Sequence, residues 1–289
     1  MAYSRLSTEV ANRFQSLIIP HTKFVAAVKS IESAMDVGKL TGTFAGVRVT
    51  APSGSGKTAL LDYVRSNLGA SEFDDKAKDV VYASLKENPS VSQVQSALLE
   101  KFDYAVPARA ASNNDVNIIL VKAINHNRTK LIVLDEFQHV FLAGGVKFAT
   151  PVIDWLKRLM NLVQVPVVLL GTEALDRLEG MDEQLTSRIP TIARLTHFSL
   201  NGEWRGFLTA LANGCKEFDM TLLAKDRAAA IALWAATGGS PRNTKTLLVH
   251  AICIGLTAEK SVLTLDILRD AFTAHRGVDA VLENPFASD

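Results

Sequence analysis

Short apolar runs alternate along this chain with longer segments whose apolar residues recur every three or four positions. VRVTA (47–51), DVVYASL (79–85), KLIVLDE (130–136), VPVVLLG (165–171) and TIARLTHFSL (191–200) read as strands. The stretches 57–68, SVSQVQSALLEKF (90–102), DVNIILVKAINH (115–126) and PVIDWLKRLMNLV (151–163) carry the helical period. KLIVLDE is apolar without alternation, as a strand buried on both faces requires. Strand and helix taking turns in this way predict a parallel sheet with helices on both sides.

After about Leu200 the strand pattern stops. EWRGFLTALANGCKEF, KDRAAAIALWAAT, SPRNTKTLLVHAICIGL and LDILRDAFTAH read as consecutive helices separated by Gly, Pro, Asn and Asp signals. The expected organisation is a helical extension over 1–45, an α/β domain over 46–200 and a small all-helical domain with a tail over 201–289. KFVAAVKSIESAM is the clearest helix of the extension, IIP is a break before it, and ENPFASD at the end is expected to fray.

Composition changes this picture little. With 48% hydrophobic and 21% charged residues in 289, the chain can bury a substantial core. AAAIALWAAT, the longest near-apolar run, is too short to cross a bilayer, and MAYSRLSTEV lacks the apolar core of a signal peptide. These features predict a soluble, cytoplasmic protein with no membrane partner. Cys215 and Cys253 are isolated, with no metal-ligand spacing, and are expected as buried thiols. A formal net charge of +1 requires any nucleic-acid contact to come from a local basic surface.

Candidate chemistry starts at APSGSGKT (51–58), between a strand and a helix. Gly54 and Gly56 allow backbone amides to turn toward phosphates, and the helix N-terminus adds partial positive charge. Lys57 is placed for β and γ phosphate oxygens and the Thr58 hydroxyl for Mg²⁺. Ala51 departs from G-x-x-x-x-G-K-[ST] at the position least involved in touching phosphate. The expected nucleotide-binding set is Pro52, Ser53, Gly54, Ser55, Gly56, Lys57, Thr58 and Ala59, joined by Asp135.

In LIVLDEFQHV, Asp135 ends a buried strand as the second Mg²⁺ group and Glu136 follows it as the base that polarises water. A complete strand lies between the two motifs in sequence, which predicts that the metal-binding strand is not adjacent to the phosphate-loop strand. Thr172 closes the fourth strand, placed to orient the attacking water or sense the γ-phosphate, to cap the helix that starts at Glu173, or to do both. Arg188, in MDEQLTSRIP, is a candidate arginine finger, with Arg177 and Arg194 as rivals. Arg242, after a Gly-Gly-Ser-Pro turn, opens a helix of the small domain and is a candidate to fold over the nucleotide and report its state to that domain. His139 reads as a polar contact near the site.

Taken together, APSGSGKT, LIVLDEFQH, LLGTEAL, DEQLTSRIP and GGSPRN resemble the AAA+ ATPases in order, over most of residues 20–255. Within them the chain is similar to the TniB/TnsC-type transposition regulators, through IIPHTKF, LDEFQH, VVLLGTE and DEQLTSR. The resemblance implies an AAA+ module with a helical lid, using ATP and Mg²⁺. It gives Glu136, Thr172, Arg188 and Arg242 the roles of base, first sensor, finger and second sensor. It also implies a ring or filament of identical subunits on duplex DNA, recruiting a transposase, with a target-selecting adaptor as a further candidate partner, and dismantled by hydrolysis. By the same analogy DNA contacts fall on Lys86, Ser92, Arg109 and Ser112. The tail around Phe286 is expected to be disordered, with docking of a partner as the alternative. A helicase loader or replication initiator is the nearest alternative, although initiators append a winged helix for which the helices after Leu200 are too few. A nucleotide switch is a further alternative, and Glu136 speaks against it.

Overall fold

The computed structural model describes residues 3–68, 78–104, 113–142, 144–276 and 283–287. The chain divides into two compact units. One contains Met1–Thr22, Gly54–Gly56 and Thr196–Asp289, and the other Lys23–Ser53 and Lys57–Leu195. Residues 1–45, expected as one extension, are therefore shared between them. No helix among the described residues is long and apolar enough to cross a membrane.

The second unit is built on five parallel strands: β1 (Val47–Thr50), β2 (Val80–Ser84), β3 (Leu131–Asp135), β4 (Val167–Gly171) and β5 (Thr191–Arg194), in the order β2-β3-β4-β1-β5. β1 and β4 are buried along their whole length, and β3 along all but its last residue, Asp135. The edge strand β2 alternates buried and half-buried positions until Ser84 emerges. Burial on both faces explains why the central strands read as unbroken apolar runs. The expected separation of the metal-binding strand holds, and the strand between β1 and β3 in space is β4. Arg48 is the charged exception within β1: it is 3% exposed, and its guanidinium reaches Glu179 at 2.8 Å.

Helices α2 (Thr22–Thr41), α3 (Lys57–Leu68), α4 (Val91–Leu99), α5 (Asn113–His126) and α6 (Gly145–Val163) accompany the sheet, with short helices α7 (Leu178–Met181) and α8 (Glu183–Arg188) after β4. α6 buries Val152, Ile153, Leu156, Leu159, Met160 and Val163, the stripe its sequence spacing predicts. It begins six residues before the expected Pro151, which sits inside the helix on its exposed face. Pro151 has no N–H to donate back one turn, so the helix forgoes one backbone hydrogen bond there. β5 is shorter than TIARLTHFSL suggested. The Leu195 N–H donates to Thr50 O, and β1 ends at Thr50, so the ladder has no partner to continue on.

In the helical unit, α1 (Arg5–Ser16) joins α9 (Gly202–Asn213), α10 (Thr221–Lys225), α11 (Arg227–Thr237), α12 (Pro241–Thr257) and α13 (Leu265–Arg276). Val10, Ala11 and Phe14 of α1 enter one core with Trp204, Phe218, Leu247 and Phe272. The Lys245 ammonium donates to Gln15 O and Leu17 O, meeting the carbonyls that a helix end leaves without partners. Cys215 and Cys253 are free and buried, and burial pushes both thiols up. Phe286 corrects an expectation: it is 4% exposed and packs edge-on against Phe272, so this part of the tail is core and not a frayed docking segment. An aromatic ring at that position gains more from burial than a short segment loses by ordering.

Candidate nucleotide site

The site residues of the sheet unit lie where β1, β3 and β4 end, the edge at which parallel sheets bind ligands. Thr50, the last residue of β1, is in register with Gly171, the last residue of β4. Beyond Thr50 the chain turns through Gly54 (φ +79°) and Gly56 (φ +105°), a left-handed backbone that other residues adopt only with strain. A Cβ on Gly54 would also lie 2.6 Å from Ser240 Oγ, and Gly54 O accepts from both Ser240 Oγ (3.2 Å) and the Arg242 N–H (3.1 Å), all within the helical unit. Pro52 and Gly56 are half-buried, Ser53 is exposed and Ser55 is buried. Lys57 opens α3, followed by exposed Thr58 and half-buried Ala59.

Lys57 Nζ lies 2.7 Å from Glu136 Oε1. Glu136 has a left-handed backbone (φ +55°), and its N–H donates to Asp135 Oδ1 at 2.8 Å. Gln138 Nε2 donates to Glu136 Oε2. Burial pushes the Glu136 carboxyl up, but hydrogen bonds from Lys57 and Gln138 and the Lys57 charge hold it below its usual value. It is ionised at neutral pH.

Asp135 accepts a second hydrogen bond, from the Tyr82 hydroxyl to Oδ2 at 3.0 Å. Burial, then the Asp135 charge, push that phenol up to about 12. Thr172 has extended backbone and makes no side-chain capping bond to the turn after it; its N–H donates to Gln138 Oε1 at 3.2 Å. The side-chain capping bond is therefore not made. His139 follows the same turn, and its N–H donates to Glu136 O.

The three candidate fingers differ. Arg194 is held by Asp176 at 2.7 Å, Arg177 is exposed at the end of the turn after Thr172, and Arg188 donates to Gln184 O in its own helix at 3.1 Å. Arg242 is exposed at the start of α12, the helix capped by Ser240. Lys86 and Ser92 line one cleft of about 390 Å³ between β2 and α4, together with Ser96 and Lys101. The Ser92 hydroxyl already pairs with that of Ser90 at 3.0 Å. Arg109 and Ser112 lie outside the described residues.

The donor set fits a hard cation. A hydroxyl and one carboxylate are what Mg²⁺ takes from protein when phosphates and water supply the rest. Among the described residues no group of three or more His, Cys, Asp or Glu side chains is placed to enclose a metal by itself.

Tyr82 and Gln138 are the site residues that sequence reading missed. Gln138 stands in the quoted motif, but its role depends on where its amide points. Tyr82 carried a weak signal: it is a polar aromatic two residues before the end of an edge strand.

Solved structures similar to this chain share its fold. The Aeropyrum pernix ORC2 protein in its ADPNP-ADP complexes matches at 17% identity over 91% of this chain and 70% of that chain, with a TM-score of 0.66. The Aeropyrum pernix ORC1 protein in complex with DNA matches at 19% identity over 91% and 69%, with a TM-score of 0.65. The Thermotoga maritima RuvB Holliday junction branch migration motor matches at 17% over 88% and 70%, with a TM-score of 0.53. The fold is that of the AAA+ ATPases, a parallel sheet followed by a helical domain. A search of curated proteins found no match. The family model described as bacterial TniB protein matches residues 9–198, well over half of the 289, and the chain belongs to the TniB family.

Proposed function

We propose that this chain is an ATP-hydrolysing regulator of DNA transposition, which assembles as an oligomer on duplex DNA in the cytoplasm and recruits or activates a transposase. The single observation that carries the ATPase part is the Lys57–Glu136 contact at 2.7 Å, beside an Asp135 held by Tyr82. A phosphate-binding lysine, an ionised base and a Mg²⁺ ligand meet at one sheet edge. Bound Mg²⁺ would be held by Thr58 and Asp135 and would neutralise charge on the phosphates. The chain's own residues do the rest: Lys57 holds phosphate oxygens, Glu136 accepts a proton from the attacking water, and Thr172 orients that water. Arg188 acts on a neighbouring subunit's site, and Arg242 reports nucleotide state to the helical unit.

Membership of the TniB family supports the transposition part. The Lys86 and Ser92 cleft supports a backbone-directed DNA contact, to which we add Arg109 and Ser112. Few charges per subunit make such binding sequence-tolerant, salt-sensitive and dependent on many subunits acting together. A target-selecting adaptor is a further partner on this reading.

Anisotropy of labelled random-sequence duplex DNA with ATP, with ADP and without nucleotide tests it. Tight binding with ATP alone, lost as salt rises and weakened by Lys86→Ala, is expected. Absence of DNA binding in every state rejects the transposition reading and leaves an ATPase acting on protein. The replication-initiator reading has one observation in its favour, the likeness to ORC proteins at TM-scores of 0.66 and 0.65. Pull-down against a transposase and a replicative helicase separates the two.

A further inference from the structure

Gln138 is 2% exposed, and a glutamine is rarely withdrawn from water unless both ends of its amide are engaged. Nε2 donates to Glu136 Oε2, and Oε1 accepts from the Thr172 N–H at 3.2 Å. The reverse orientation would set donor against donor and acceptor against a carboxylate, so the chemistry of the neighbours fixes the amide. Gly171 supplies an independent observation. A Cβ there would lie 2.2 Å from Gln138 Oε1, so the amide fills space that any other residue at the end of β4 would claim.

The two oxygens of Glu136 thus have separate holders, Lys57 on Oε1 and Gln138 on Oε2. We infer that Gln138 is a positioning residue that couples the hydrolytic base to the first sensor, because its amide joins the Glu136 carboxylate to the Thr172 backbone. The inference rests on reading Glu136 as the base. Withdrawal of Lys57 toward phosphate opens Oε1 to water while Gln138 still fixes Oε2. A shift of the Thr172 segment is then carried to Glu136 through one rigid amide plane.

Gln138→Leu removes both contacts. Gln138→Glu keeps an acceptor for the Thr172 N–H but sets a like charge against Glu136. In nucleotide-free protein, exchange of the Thr172 amide proton, followed by NMR, should quicken about tenfold in Gln138→Leu and stay near wild type in Gln138→Glu, in line with the loss or retention of one local hydrogen bond. Affinity for ATP carrying a ribose-linked fluorophore should stay within about twofold in both, because Lys57 and the loop are intact. Both should lower kcat about 10- to 100-fold with KM within about twofold, the pattern of a misplaced catalytic group. Gln138→Asn, polar but one methylene too short to span both partners, gives the same kcat loss and serves if Gln138→Leu does not fold. Wild-type kcat in these variants, with Glu136→Gln inactive, overturns the coupling and leaves the base in place. A parallel fall in ATP affinity and thermal midpoint would mark a structural role only and also overturns it. Wild-type hydrolysis by Glu136→Gln removes the base, and the coupling falls with it.

Discussion

The Lys57 ammonium and the Glu136 carboxylate, 2.7 Å apart and 12% and 31% exposed, hold each other across two strand ends. In the proposed function phosphate and Glu136 therefore compete for one ammonium. Glu136→Gln removes the competitor's charge as well as the base. It should bind ATP more tightly than wild type while hydrolysing it at least about 100-fold more slowly, the scale of a lost general base. Lys57→Ala should lose nucleotide binding altogether. Calorimetric titration with ATP and a phosphate-release assay check both; wild-type turnover by Glu136→Gln would falsify the base assignment.

In the proposed function Arg188 is the finger that acts on another subunit. Among the described residues no carboxylate lies within ion-pair distance of it, whereas Arg194 is occupied by Asp176 at 2.7 Å. Arg188→Ala should keep its ATP affinity and lose hydrolysis about 1000-fold, as fingers supplied in trans do. Mixing it with Lys57→Ala subunits should restore part of the activity, since each variant contributes the half-site the other lacks. Arg194→Ala should leave hydrolysis in place and loosen the turn around Asp176. The opposite ranking in a steady-state assay would transfer the role to Arg194.

Tyr82 donates to the carboxylate assigned to Mg²⁺, and its phenol is pushed up to about 12 by burial and by the Asp135 charge. It stays protonated at any working pH and so remains a donor. Tyr82→Phe removes the hydroxyl without changing the ring, leaving Asp135 freer to rotate. The expected effect is an increase of about tenfold in the Mg²⁺ concentration needed for half-maximal hydrolysis, the usual cost of losing a partner of a metal ligand. ATPase rates over a Mg²⁺ titration give the answer. An unchanged midpoint would mean that Glu136 N–H alone orients the carboxylate.

The loop and the acidic pair were legible because their chemistry restricts residue type locally. Gly54, Gly56, Lys57, Asp135 and Glu136 each need a particular backbone freedom or charge within one short segment. β3 and β4 were legible because burial on both faces leaves no polar positions. What depended on distant neighbours was hidden. Tyr82 faces Asp135 only because β2 pairs with β3, Ser84 opposite Asp135. Gln138 owes its burial to the end of β4, and Phe286 owes its burial to α13. Arg48 reads as an ordinary break in a strand, yet it is buried because Glu179, on a segment far along the chain, reaches it. The early start of α6 defeated a rule that is usually sound, because Pro151 falls on the helix's exposed face, where its ring displaces no core contact.

Asp182 ties α8, the helix that ends at Arg188, to the rest of the sheet unit. Its carboxylate caps α8 by accepting the Leu185 N–H at 2.6 Å, and it receives the Lys157 ammonium at 2.8 Å. Burial pushes this carboxyl up, but the hydrogen bonds from Lys157 and Leu185 outweigh it and hold the group below its usual value. A carboxylate depressed in the folded state stabilises fully above its unfolded value, about 3.9, and the contribution fades as pH falls through the lower folded value. Asp182→Ala should cost about 1–2 kcal/mol at pH 7, the range for a lost N-cap, measured by urea unfolding. The difference from wild type should shrink below about pH 4, where both lack the charge. Lys157 keeps Asp154 at 2.8 Å, so the variant leaves no buried cation alone. Because Arg188 is the last residue of α8, the same variant should lower hydrolysis while sparing ATP affinity. Asp182→Asn, which retains a cap but not the charge, should lie between the two. A full loss of stability in Asp182→Asn would instead make the Lys157 pair, and not the cap, the element that fixes the helix.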